Sequence, residues 1–190
     1  MNRIQKLLIG AVAVAALAGP ALAETPELEP CKTGSKAVTL VFRTDTTSGW
    51  TVNGAPVSAV SNGAWANVSP ATWIGPSGGT GPATLVYKLT FDAPMMHGPM
   101  TLQARWAADN CGVSLQAGTG PVKSTGACTM APAPNGKDFL SFTRTTTTTF
   151  APGDSANPSP TITFTVSNQN GTATGFAGEF TVTALCVCRG

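Results

Sequence analysis

The chain has 190 residues, of which 11 are Lys or Arg, 9 are Asp or Glu and one is His. That length suits one domain with a sizeable core. Only 11% of the residues are charged and the formal net charge is +2, which excludes a surface with general attraction for nucleic acid or anionic lipid.

Residues 1–23 read as a cleaved signal peptide. Arg3 and Lys6 supply a positive start, residues 7–18 form an apolar run short of a bilayer span, and Ala21-Leu22-Ala23 is an A-x-A cleavage signal. The mature chain then begins at Glu24. Loss of Arg3 and Lys6 leaves nine basic and nine acidic side chains, a balance that removes one safeguard against self-association. The expected destination is the cell surface or the extracellular space, or else the periplasm, with no membrane insertion after cleavage.

Residues 24–36, with Pro26 and Pro30, are expected to form an extended amino-terminal arm, and residues 37–190 a single domain. The first predicted strand is 37–43, AVTLVFR, with Val38, Leu40 and Phe42 on one face. Trp50 to Val52 leads into an Asn53-Gly54 hairpin turn, and residues 57–60 are expected to return from it. Residues 61–82 are irregular and hold Trp65 and Trp73; a loop that long packs or functions.

Residues 84–91 alternate strictly, with Leu85, Tyr87, Leu89 and Phe91 on one side. Residues 100–108 alternate again, placing Leu102, Ala104, Trp106 and Ala108 inward and Thr101, Gln103, Arg105 and Ala107 outward. Asp109-Asn110 breaks the pattern as a turn, and 112–116 resumes it. Residues 138–150 contain five consecutive threonines, Thr145 to Thr149, and are β-prone. Residues 161–166 and 176–188 predict the closing strands. No amphipathic helix is predicted in the mature chain. Many short strands with turns between them argue a sandwich or barrel.

All five cysteines, Cys31, Cys111, Cys128, Cys186 and Cys188, lie in the mature part, where export makes disulfides the default. Cys111 and Cys128 bracket a Gly- and Pro-containing segment and form a candidate local pair. Cys31 with Cys186 or Cys188 would tie the termini together. One cysteine is left over, free or paired between molecules. Zinc needs about four ligands, and one histidine with no C-x-x-C does not supply them.

The stretches LTFDAP (89–94) and LQARWAADNCGVSLQ (102–116) resemble exported bacterial jelly-roll domains of the galactose-binding-like class. Gly49-Trp50-Thr51-Val52 and residues 71–76 resemble the opening of that class, and Val166-Ser167-Asn168 with residues 174–182 its closing strands. Two features depart from it: Leu115-Gln116-Ala117 stands where Leu-Asn-Gly is usual, and the cysteines are additional. The resemblance implies an all-β, jelly-roll-like sandwich of two antiparallel sheets, here stapled by disulfides. It also implies a carbohydrate-binding module or a secreted protein of another role. A structural calcium is implied by the resemblance alone; the residues themselves assign no metal ligands and no cofactor.

Tryptophans stack on the C–H faces of sugars. Trp106 is in phase with the core, whereas Trp65 and Trp73 sit on the long loop and either pin it or present a ligand platform. Asp109 and Asn110 carry oxygen donors for calcium or a sugar hydroxyl, or serve the turn. His97 is the only histidine, and no triad, G-x-S-x-G or H-E-x-x-H is present, so no catalytic residue is assigned. The threonine run reads as a solvated edge strand or as a surface that templates another strand. The expected function is a secreted non-catalytic module binding carbohydrate or another cell-surface component. The alternative is a structural subunit of an extracellular matrix, coat or filament.

Overall fold

The computed structural model describes residues 38–78, 83–91, 97–126, 138–150, 160–169 and 173–186. The expected leader (1–23), the expected arm (24–36) and Cys31, Cys128 and Cys188 lie outside the described residues.

The described chain is all-β. Its strands are β1 (Val38–Arg43), β2 (Thr51–Val52), β3 (Ala55–Pro56), β4 (Ser58–Ala59), β5 (Ile74–Gly75) and β6 (Ala83–Thr90), followed by β7 (His97–Asp109), β8 (Cys111–Ala117), β9 (Lys123–Ser124), β10 (Arg144–Phe150), β11 (Thr161–Asn168) and β12 (Gly175–Cys186). A single 3-10 turn, Asp138–Leu140, precedes β10. Among the described residues, no helix is long and apolar enough to cross a membrane.

Two antiparallel sheets form a sandwich. In sheet A the order is β10-β7-β12, and the far edge of β12 is shared by β1 and by the short β5-β4 pair. In sheet B the order is β3-β2-β6-β11-β8-β9. The period-two alternation fills the space between them. Leu102, Ala104, Trp106 and Ala108 of β7 and Phe176, Phe180 and Val182 of β12 face Leu85, Tyr87 and Leu89 of β6 and Ile162, Phe164 and Val166 of β11 in one buried cluster. At its centre Phe164 stacks on Phe176 at 4.4 Å, with Trp106 5.2 Å from Phe164.

Two expectations are revised. Ala55–Pro56, not 57–60, returns from the Asn53-Gly54 turn, and Ser58–Ala59 crosses to the other sheet. Val57 between them is buried in the core and marks the crossing. Ala107 points outward as expected, yet it is fully buried. It lies opposite Ala177, and the two small side chains make a shallow floor that Val68, Ala71, Trp73 and Phe142 cover in a second apolar cluster. The outer face of sheet A is therefore roofed at one end and open at the other.

Candidate functional site

The roof is built by the segment between β4 and β5. Asn62 and Asn67 each accept a backbone N–H two residues on, the local bonding that lets Asn set turns. These turns bring Trp65 and Trp73 together, with ring centroids 4.5 Å apart and planes inclined at 34°. Trp73 donates its Nε1–H to the Ala66 carbonyl at 3.0 Å and is buried. Trp65 is half-buried and donates its Nε1–H to Asp109 Oδ2 at 2.9 Å. Gly175 lies beneath the pair. A Cβ there would stand 2.7 Å from Trp65 Cη2 and 3.1 Å from Trp73 Cε3, so only glycine lets both rings settle onto β12.

Asp109 and Asn110 end β7, and the peptide bond between them is cis. Both residues are buried and their polar atoms are engaged within the protein. Asp109 Oδ1 accepts from Asn110 Nδ2 at 2.9 Å, and Asn110 Oδ1 accepts the Gln169 N–H at 2.6 Å. Thr174 Oγ1 donates to the Asp109 carbonyl, and the Asn110 N–H donates to the Ser167 carbonyl. The four residues that the sequence singles out, Trp65, Trp73, Asp109 and Asn110, thus gather at one end of the sandwich. Of the four, Trp65 keeps the greatest exposure.

A fifth participant is Asp138, which carries no motif in the sequence. It is 3% exposed. Its carboxylate accepts the Gly112 N–H at 3.2 Å and pairs with Arg144 at 2.9 Å, while its own N–H donates to the Asn110 carbonyl at 3.4 Å. It ties the start of β10 to the turn that holds Trp65. The only signal for it in the sequence is an acid opening a short apolar stretch, Asp138-Phe139-Leu140, which is too common to single out. Among the described residues, no three His, Cys, Asp or Glu side chains gather as a metal site. The chain matches no protein-family model, no curated protein and no solved structure.

Burial raises the carboxyls of Asp109 and Asp138 above their ordinary value of 3.8. The Trp65 hydrogen bond opposes this at Asp109, and the Arg144 charge opposes it at Asp138. Asp45 goes the other way. Burial pushes it up, but bonds from Ser48 and Thr47 outweigh that and hold it low. A raised carboxyl binds more protons in the folded than in the unfolded state. Its contribution to stability therefore falls as pH rises from 3.8 through the raised value. Asp45 stabilises above 3.8, and that contribution is lost as pH falls through its depressed value. Thermal melts across the acidic range are expected to show Asp138→Asn and Asp109→Asn each with a weaker fall of Tm as pH rises than the parent. Unchanged slopes would remove these two carboxyls from the pH response.

Proposed function

We propose that the chain is an exported, non-catalytic carbohydrate-binding module of jelly-roll topology. Trp65 is its stacking platform, and Asp109 is the positioning residue that aims it. The topology is supported by nested pairing. β1 pairs with β12, β6 with β11, β7 with β10 and β8 with β9, the pattern of one long hairpin rolled into two sheets. Disulfide closure is supported by Cys111, which is buried and disulfide-bonded. Cys128 is the partner we assign to it. Val38 lies opposite Ala184, and this supports a second bridge from Cys31 to Cys186 or Cys188. Export rests on the leader pattern.

The observation that carries the binding reading is the preorganised indole. Trp73 supports the Trp65 ring, Gly175 admits its edge and Asp109 holds its N–H, yet the ring is only half-buried. An aromatic fixed in this way loses little side-chain entropy when a sugar stacks on it. A glycan screen of the mature protein tests the reading. Trp65→Ala is expected to weaken the retained ligand by about tenfold, equivalent to roughly 1.4 kcal/mol, with a smaller loss of stability than Trp73→Ala, which is expected mainly to destabilise. The reading fails if the parent retains no glycan or if Trp65→Ala binds as well as the parent.

A second reading, a structural subunit of an extracellular assembly, is favoured by the edges of sheet A. β1 and β10 run for six and seven residues, whereas both edge strands of sheet B have two residues and one of them contains Pro56.

A further inference from the structure

Short edge strands, edge prolines, inward charges and bulges are the devices by which sandwiches prevent edge-to-edge pairing. Sheet B carries two of them and sheet A lacks them. β1 (VTLVFR) and β10 (RTTTTTF) contain no proline and show no register shift against their neighbours. Their one charged residue each, Arg43 and Arg144, sits at a strand end. Among the described residues, no strand pairs with the outer edge of either. Leu40 and Phe42 of β1 reach the core but remain only partly buried, and Val41 is 46% exposed. The strand has apolar surface still to cover.

We infer that β10 of one molecule pairs with β1 of the next, extending sheet A head to tail through successive copies of this chain. The inference deepens the structural-subunit reading and rests on it.

Strand direction permits the join. β10, β7, β12 and β1 are each antiparallel to the next, so β10 and β1 run in opposite directions. A copy placed alongside continues the antiparallel alternation. The hydrogen-bonding parity also agrees. The Thr44 N–H donates to the Gly178 carbonyl on the same diagonal as the β1–β12 pairs, so even-numbered residues of β1 bond to β12 and odd-numbered ones turn to the free edge. Carrying that alternation through β7 leaves Thr145, Thr147 and Thr149 of β10 turned to the opposite free edge. Arg43 fits this parity, since its carbonyl points away from β12 and accepts the Trp50 indole N–H at 2.9 Å.

One register aligns the two edges along their common length, with Thr145 opposite Arg43, Thr147 opposite Val41 and Thr149 opposite Thr39 of the neighbour; the central pair carries it, since the Arg43 carbonyl is shared with the Trp50 indole and Gly120 lies beside the Thr149 carbonyl. It keeps inward residues beside inward residues, as a sheet requires. It also prolongs rows that already cross the open outer face. One row runs Thr39, Thr183, Thr101, Thr149, and the next runs Val41, Thr181, Gln103, Thr147. Face-to-face stacking of two such patches is the weaker alternative. Four strands about 4.8 Å apart, with three outward residues each at a rise of about 3.4 Å per residue, cover well under the roughly 800 Å² per partner of a stable interface. A heterologous edge contact whose rotation does not close into a ring grows into open chains.

Light scattering of the whole mature protein tests this. The parent is expected to form concentration-dependent linear species. Thr147→Pro removes an N–H from the free edge of β10, and Val41→Pro removes one from the free edge of β1, without touching the bonds to β7 and β12. Each variant alone is expected to be monomeric. An equimolar mixture is expected to stop at dimers, because the intact β10 of one meets the intact β1 of the other. As a check independent of proline tolerance, the double variant Val41→Cys, Thr147→Cys is expected to give a covalent ladder on a non-reducing gel after mild oxidation, beyond any ladder of the parent. Within one molecule these positions lie on opposite edges of the sheet, too far apart to bridge. A monomeric parent at every concentration overturns both the inference and the structural-subunit reading. Assembly that survives both proline substitutions overturns the inference alone, and so does a folded mixture that stays monomeric or a double variant that forms no added ladder.

Discussion

Replacing Trp106 by Ala is expected to lower stability by about 3–5 kcal/mol, the range for emptying a large aromatic site in a packed core. Trp106 lies on β7, an interior strand of sheet A between β10 and β12, and is almost fully buried. Its ring meets Phe164 of the opposite sheet at 5.2 Å, and its Nε1–H donates to Thr146 Oγ1 at 3.0 Å. The truncation removes that inter-sheet contact and the donor that satisfies a buried hydroxyl on β10. For a domain of this size the Tm should fall on the order of 10 °C. Urea unfolding should show a lower midpoint with an unchanged slope. A loss below about 1 kcal/mol would mean that the neighbouring chains collapse into the space, and that Trp106 does not support the core as its contacts indicate.

Gly112→Ala is expected to be the next most damaging change, at the upper end of the roughly 1–3 kcal/mol that overpacking costs. A Cβ at Gly112 would stand 2.6 Å from Trp106 Cζ3, 2.7 Å from Trp106 Cη2 and 2.9 Å from Phe164 Cζ. Both rings are buried, so neither has solvent to move into. The mechanism makes a second demand. Phenylalanine lacks the outer atoms of the indole, so Gly112→Ala should cost less in a Trp106→Phe background, with a coupling of about 1 kcal/mol in a double-mutant cycle. Additive effects would show that the damage comes from the β8 backbone and not from the ring.

These two residues also connect the core to the candidate site. Gly112 is the residue whose N–H donates to Asp138, and Asp138 in turn bonds the Asn110 carbonyl. A shift of β8 away from Trp106 therefore reaches the turn that orients Trp65. Loss of glycan retention in Gly112→Ala would be an indirect effect on the proposed platform, distinguishable from Trp65→Ala by its larger loss of stability.

Within the site, the residue types were legible and their company was not. Tryptophans on a long loop without alternation stand out, and so does an Asp-Asn pair that interrupts a strand. Nothing in a linear spacing of 44 residues says that the Trp65 N–H will meet the Asp109 carboxylate. The loop finds its place because Ala107 and Ala177 leave a shallow floor on sheet A, and that floor exists only once β7 and β12 are paired in register. Asp138 escaped notice for the same reason. Its partners Gly112, Asn110 and Arg144 come from three separate parts of the chain.

The amino-acid sequence by itself determined the all-β class, the runs that become long strands and the inward side of those that alternate, such as β1, β6 and β7, but not of the threonine run in β10. A pleated strand turns alternate side chains to opposite faces, so period-two apolarity is a local property written directly in the order of residues. Only the tertiary structure decided which strands are neighbours, which of the described strands stand at the sheet edges and which polar groups converge around Trp65. Alternation fixes a face but carries no partner and no register, and those are chosen by the packing of all the strands together.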